Sequence, residues 1–460
     1  MKHQLPPEDS DDLPEGHVAV PQRAQAPRRS RRRIVLIALL VLALVLAAAG
    51  FGYYRHLNSN LTSVEMPVEV QGEKPLEGLP KGTAQNILVI GTDSRQKAAD
   101  CKLGGSCGED KKDGETNADV ELLVHISADQ TWMTIVSLPR DTLVDLPACS
   151  GNGKTREATT GRINGSLNYG IECQLRTVHQ LTGLPISHFM MVDFSGVVSL
   201  SDAVGGVDVC VDKDVYDTYS HLKLAQGKHT LQGVAALQFV RTRHGFGDGG
   251  DLGRTIGQRL YLSSLQRKLE SAGTLLNPQK VYRLAEAGTR ALTVDKGLAD
   301  VSTLAKVATT VGNIPSSATT FVTMPSEQNP ENENTVLPTQ ASKDLFAKLA
   351  ADQPLVTPKS KASAHPSGTA STSSPTGGAA TSASASPTPA TEQASTAPGE
   401  ATGDSASPTP DQATGGSAQV SSETTGCAQV STFETVQING EPMTPTEAYA
   451  RSPRIPNSAP

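Results

Sequence analysis

The sequence has no CxxC pair and no histidine at a matching spacing, which argues against a zinc site as the reason for its cysteines. It has no GxSxG elbow and no phosphate-loop lysine motif, so nucleophile-elbow hydrolases and P-loop nucleotide binders lose support. It has no basic excess either. A formal charge of −7 and a pI near 5.8 argue against a nucleic-acid binder. No internal repeat is found. Residues 1–27, rich in proline, acid and glutamine, have almost no periodic apolar pattern, and 355–426 have almost no large apolar residues; such segments cannot bury enough surface to offset the entropy of ordering them.

What is present is strongly segmented. Five arginines (Arg28, Arg29, Arg31, Arg32, Arg33) precede IVLIALLVLALVLAAAGFGYY, residues 34–54, which is uncharged and long enough to cross a bilayer as a helix. The arginines predict a cytoplasmic N-terminus and export of all that follows, with Tyr53 and Tyr54 at the interface. A cleaved signal peptide, using the alanines at 47–49, is the competing reading; its apolar region is normally shorter. All six cysteines lie beyond this span, where disulfides persist. Cys101 with Cys107, and Cys149 with Cys173, are the candidate pairs.

The expected organisation is a disordered basic segment (1–33), a transmembrane helix (34–54), a stalk (55–83), a globular domain (84–352) and a disordered tail (353–460). The tail carries one β-like patch, STFETVQI, too short to be a domain. In the middle, NILVIG, ADVELLVHI, WMTIVSL, HFMMVDF and TTFVTM read as strands. They alternate with helical stretches, which predicts a layered α-β-α domain around a central mixed sheet.

Charged residues cluster where these elements end. Asp93 and Arg95 close the first strand, Asp119 opens the second, and Arg140 and Asp141 end the third. In open α/β sheets such positions beyond strand ends gather ligands. Asp119 joins Asp93 if its strand runs antiparallel to the first. Further on, RTRHGFGDGGDLGRTIGQR (241–259) puts Arg241, Arg243, Arg254 and Arg259 around a glycine-rich loop, a pattern suited to multidentate grip on phosphate. Two carboxylates with several arginines suit magnesium plus a pyrophosphate. Read singly, Asp141 is a turn or capping residue, Asp251 a salt-bridge partner of Arg254, and His244 a solvent-facing loop histidine.

Taken in order, NILVIGTDSR, ADVELLVHISADQTWMTIVSLPRDT, RINGSLNYG, HFMMVDFSGVVSLSDAVGGVDVCV and GVAALQFVRTRHGFGDGGDLGR resemble the LytR-CpsA-Psr family of cell-wall ligases. The resemblance runs from about residue 84 to 275, and more weakly to about 352. It implies a phosphotransferase that moves an anionic glycopolymer from a polyprenyl-pyrophosphate carrier onto peptidoglycan, usually at the C6 hydroxyl of N-acetylmuramic acid. It implies magnesium, or manganese in its place, on Asp93 and Asp119. Arg95, Arg140, Arg241, Arg243 and Arg254 then grip the pyrophosphate, with Gln258 beside it, and Asp251 is the family's acid in the loop. ALQFV and HFMMVDF are candidates to line a lipid pocket. The implied partners are the lipid-linked donor, peptidoglycan and the membrane, and no nucleic acid; the catalytic domain faces outward. The rival functions are a pyrophosphate hydrolase using the same site and a non-enzymatic envelope regulator. One departure stands out: Gly257 occupies a position where the family often has arginine. Arg259 follows two residues later, about 200° around a helix, and is a poor substitute.

Overall fold

The computed structural model describes residues 28–71, 78–92, 116–247, 249, 251–270, 277–355, 420–421 and 427–460. Asp93, Arg95, Cys101 and Cys107 lie outside them, as do residues 1–27 and most of the expected tail. Contacts divide the chain after Ser59. In the first unit, helix α1 (Arg28–Asn60) begins within the arginine block expected to be disordered and carries the uncharged apolar run of residues 34–54. It is long and apolar enough to cross a membrane.

In the second unit the central strands are β1 (Thr62–Val64), β2 (Gln85–Thr92), β3 (Ala118–Ile126), β4 (Met133–Leu138), β5 (His188–Asp193), β6 (Leu292–Asp295), β7 (Thr319–Thr323) and β8 (Val420–Ser421). Among the described residues they form one eight-stranded sheet in the order β1-β6-β5-β2-β3-β4-β7-β8. It is mixed: β2 is parallel to β5 and antiparallel to β3, and β4 is parallel to β7. The helices are α2 (Ile171–Thr182), α3 (Phe194–Ala203), α4 (Gly233–Arg241), α5 (Asp251–Glu270), α6 (Pro278–Ala291), α7 (Val301–Asn313), α8 (Gln340–Ala350) and α9 (Pro445–Arg451).

Alternation along the strands builds two faces. Leu88, Ile90, Leu123 and Phe189 pack with Leu175 and Val178 of α2 and Leu345, Phe346 and Leu349 of α8. On the opposite face Ile87, Met133 and Val294 pack with Val307 of α7. A third core lies off the sheet. The hairpin of 207–211 and 227–231 packs with Ala236 and Phe239 of α4, Phe246 and Tyr261. VDVCV (207–211) is one arm of this hairpin.

Two expected boundaries move. The stretch read as a stalk supplies an edge strand, since β1 pairs with β6, and Val70 is buried in the first core. The end of the tail is folded. Residues 436–438 and 441–443 form a hairpin, and α9 begins with a capping box of Thr444 and Glu447. Ala428, Val430 and Ala459 are buried in the third core, and Val436, Met443 and Ala448 against Tyr216. STFETVQI is too short to fold alone, but it docks on an existing apolar surface.

The Cys149 and Cys173 sulfurs are 2.17 Å apart, the pairing expected from sequence. A second pair, Cys210 with Cys427, joins residues 217 apart in the chain.

Glu121 on β3 is 1% exposed. Burial pushes its carboxyl well above the usual range, opposed by a weaker contact with Gln174. A raised folded-state pKa gives stability that is full below the unfolded value and lost as pH rises through the folded one. Glu121→Gln is therefore expected to raise the melting midpoint at pH 8 relative to wild type, with little difference at pH 4, in thermal scans at both values.

Candidate functional site: an arginine-lined cavity at the strand ends

Parallel strands β2 and β5 finish side by side, with Thr92 opposite Asp193. Because β3 is antiparallel to β2, it starts at this same edge, pairing Ala118 with Thr92. The register thus delivers Asp119 to the carboxyl ends of two parallel strands, the position that gathers ligands in open α/β sheets. Asp193 then turns the chain: its carboxylate accepts the Gly196 N–H at 2.8 Å and caps α3.

A cavity of about 260 Å³ opens there. That is near the lower end of ligand clefts, about 300–1,000 Å³. Asp119 comes from β3, Val192 from β5, Phe194 and Val197 from α3, Leu237, Val240 and Arg241 from α4, and Arg254 and Gln258 from α5. Arg243 and His244 come from the loop after α4, and Asp217, Tyr219 and Ser220 from a neighbouring turn. ALQFV and HFMMVDF therefore each contribute to the wall, although Phe239 and Phe189 are fully buried in the cores instead.

The charges alternate. Arg254 Nη1 is 3.8 Å from Asp119 Oδ1, and the same oxygen accepts a hydrogen bond from Arg140 Nη1. Arg140 Nε donates to Asp141 Oδ2 at 3.3 Å, and Arg162 Nη1 is 3.4 Å from Asp141 Oδ1. The turn after β4 holds Arg140 in place, with the Thr142 N–H on the Pro139 carbonyl and the Asn164 N–H on the Arg140 carbonyl. Asp141 thus joins an ion-pair row as well as the turn. The Arg241 guanidinium stacks 4.6 Å from the Phe194 ring centroid.

Arg254 and Gln258 are four residues apart on α5 and share a face. Gln258 lines the cavity, and its amide donates to the Val240 carbonyl at 3.2 Å, tying α5 to the end of α4 just before Arg241. Asp251 is the first residue of α5, and its side chain is outside the description. At position 257 a Cβ would meet the Phe239 carbonyl and the Phe246 ring at 3.4 Å. Gly257 faces the third core and does not line the cavity, so no gap in the arginine wall marks the missing side chain. Arg259 does not line it either, and burial lowers its pKa.

One acid, a histidine and an aromatic complete the wall and were not legible as a site. Asp217 is fully buried. Its carboxylate accepts the Tyr219 N–H at 2.9 Å and the Arg243 and His244 N–H groups at 3.2 Å each. Burial pushes its pKa up, but the neighbouring His244 and these backbone donors outweigh that, leaving it below the usual carboxylate value. His244 Nδ1 lies 3.6 Å from Asp217, and its ring stacks on Tyr219 at 4.2 Å between centroids. The reading of His244 as a solvent-facing loop residue is corrected: Asp217 and Tyr219 hold it at the cavity. Asp217 is 24 residues before Arg241 in chain position, with no spacing signal to link them.

A family model described as the LytR_cpsA_psr family matches residues 53–351. The chain belongs to the LytR-CpsA-Psr family. Among LytR-CpsA-Psr relatives, it is 33% identical to the cell wall biosynthesis protein LcpA of Corynebacterium glutamicum over 53% of this chain and 50% of that protein. It is 26% identical to the Bacillus subtilis polyisoprenyl-teichoic acid–peptidoglycan teichoic acid transferase TagT, over 55% of this chain and 76% of that one. The chain spans about half the length of LcpA and of the related LcpB. A solved LytR-Csp2A-Psr enzyme from Actinomyces oris aligns with a TM-score of 0.47 and 23% identity, over 63% of this chain and 95% of that one.

The loop that carries Arg243 and His244 packs tightly on the start of α5. A Cβ on Gly253 would come within 2.2 Å of the Phe246 carbonyl oxygen and 2.5 Å of that of Arg243, both backbone atoms. Gly253→Ala is expected to push this loop from α5, costing about 1–3 kcal/mol as overpacking. Chemical denaturation checks the stability loss, and a parallel fall in turnover its effect on the arginines.

Proposed function

We propose that this protein is a phosphotransferase that moves an anionic glycopolymer from a polyprenyl-pyrophosphate carrier to a peptidoglycan hydroxyl. The observation that carries this reading is the convergence of Arg241, Arg243 and Arg254 on one cavity that also has an apolar side. Guanidinium groups match phosphate oxygens in pairs, and Val192, Val197, Leu237 and Val240 suit the first isoprene units of a lipid. The names of the relatives support the same chemistry at the level of cell-wall polymer attachment.

In the proposed step the acceptor hydroxyl oxygen attacks the polymer-bearing phosphorus. One P–O bond forms, the bridging P–O bond breaks, and polyprenyl phosphate leaves. Arg241, Arg243 and Arg254 bind the phosphate oxygens and oppose charge that builds on them in the transition state. The hydroxyl proton goes to a base. Among the described wall residues His244, 3.6 Å from the buried Asp217 carboxylate, is placed to take it; Asp251 is the alternative from the family pattern.

Asp119 fits a role in holding magnesium, with Asp93 as its expected companion. Its carboxylate is on the cavity wall among arginines. Magnesium takes one or two carboxylates and fills its shell with phosphate oxygens and water. When bound, the ion would neutralise pyrophosphate charge. Chelation is expected to lower turnover by at least about tenfold, as for loss of a charge-stabilising group, with recovery on adding magnesium. Full activity in chelator would remove the metal from the proposal.

The N-terminal helix fits an anchor with its arginines in the cytoplasm and the cavity outside, where both carrier and peptidoglycan are met. The experiment that tests the function supplies the full chain with magnesium, a lipid-linked polymer and peptidoglycan oligomers, and follows polymer joined to oligomer.

A further inference from the structure

The geometry points to residues 427–460 as a positioning segment that sets the conformation of the arginine loop, with Ser431 and Thr435 as the residues that hold it. The proposal rests on the reading of that loop as the pyrophosphate grip. The segment lies beyond residue 351, where the family match ends. It is nonetheless integrated with the cavity's far wall.

It enters at the Cys210–Cys427 pair. Beside it the Ala428 N–H donates to the Cys210 carbonyl at 2.7 Å, and the Val430 N–H to Asp212 Oδ1 at 2.7 Å. Val430 then bridges antiparallel to Phe246, and the Ser431 N–H donates to the Gly245 carbonyl at 3.0 Å. The Thr435 hydroxyl donates to the His244 carbonyl at 2.6 Å. Gly249 approaches so closely that a Cβ there would be 2.2 Å from the Thr435 methyl carbon.

The consequence centres on residue 244. Its N–H is held by Asp217 at 3.2 Å, and its carbonyl by Thr435. Asp217 also takes the Arg243 N–H. The peptide groups around Arg243 and His244 are therefore pinned from two sides, one within the family domain and one from the C-terminal segment. A glycine-rich loop with Gly245, Gly247 and Gly249 has much conformational freedom to lose, so such pins raise the fraction of time its arginine faces the cavity. The far end of the segment is anchored independently. Lys223 Nζ donates to the Ser452 and Ile455 carbonyls at 2.5 and 2.6 Å, and the Ser458 N–H to the Lys223 carbonyl at 2.7 Å. These anchors keep the segment docked when a single loop contact is removed, so the contacts can be tested one at a time.

A segment that only staples the fold would not discriminate between its contacts. The test compares the full chain with Thr435→Val, Thr435→Ser and Cys427→Ser. Amide hydrogen exchange is read over 241–247 and over the control strand 188–193, together with binding of farnesyl pyrophosphate in magnesium. Thr435→Val is expected to speed exchange of the loop and weaken probe binding, each about tenfold, the scale of one lost hydrogen bond. The control strand should not change, and Thr435→Ser, which keeps the hydroxyl, should restore both. Cys427→Ser should loosen the loop and residues 427–460 together. Wild-type loop exchange and probe binding in Thr435→Val would overturn the proposal, as would loosening that spreads equally to the control strand. If wild type fails to bind the probe, the pyrophosphate reading fails, and loop exchange still decides the positioning role.

Discussion

Arg254→Ala is expected to lower polymer transfer by about 10²–10³-fold, the loss seen when one preorganised donor to a developing charge is removed. Arg254 is 4% exposed, borders the cavity, and lies 3.8 Å from Asp119. Its guanidinium therefore acts where water is largely excluded and a charge is worth more than at a surface. Removal also strips Asp119 of one of its two arginine neighbours. Arg254→Lys should recover little, because an ammonium lacks the planar fork that pairs with two phosphate oxygens. The fall should appear mainly in kcat under saturating donor, since the charge opposed by Arg254 grows in the transition state. Steady-state kinetics with the lipid-linked donor checks this, and a rise in KM with unchanged kcat would assign Arg254 to donor binding alone.

Asp217→Ala is expected to be the most damaging change to the loop, at about 3 kcal/mol of stability or more, with turnover lost at the same time. The carboxylate is fully buried and accepts backbone N–H groups from both Arg243 and His244, which alanine leaves in place without their acceptor. Asp217→Asn separates shape from charge: it keeps one acceptor oxygen but turns an amide donor toward N–H groups. The pH dependence has a definite sign. The folded-state pKa of Asp217 is lowered, so its stabilisation is present above the unfolded carboxyl value and is lost as pH falls through the folded one. The gap in stability between wild type and Asp217→Asn should therefore be widest near pH 7 and close below about pH 4. A gap that stays constant through acid would show that the charge of Asp217 contributes nothing.

Much of this site could be read from the chain because its parts end strands. Asp119 and Arg140 stand at the edges of apolar runs whose period fixes them as β3 and β4, and the antiparallel pairing of β2 with β3 brings Asp119 to the end of β2. The arginines of 241–254 announced themselves by density around glycines. Asp217 and Tyr219 did not, because they sit in a three-residue hairpin with no periodicity and reach the cavity only through tertiary packing. His244 looked like a loop residue since nothing local reveals the buried carboxylate beneath it. The C-terminal segment misled for a related reason. STFETVQI has strand character but too little apolar surface for a core of its own, and its Val436 packs against Tyr216, 220 residues earlier. The Cys210–Cys427 pairing was one of many that spacing allowed.

Transfer of a polymer phosphate to a peptidoglycan hydroxyl in the arginine cavity can be followed by incubating the full chain with magnesium, a lipid-linked radiolabelled polymer and peptidoglycan oligomers. The products are then separated by size before and after muramidase digestion. Label is expected in oligomer-sized material, released on digestion as polymer joined to a muropeptide, and absent with Arg254→Ala. Label that accumulates only as free polymer phosphate, or that never leaves the lipid, would rule out the proposed transfer.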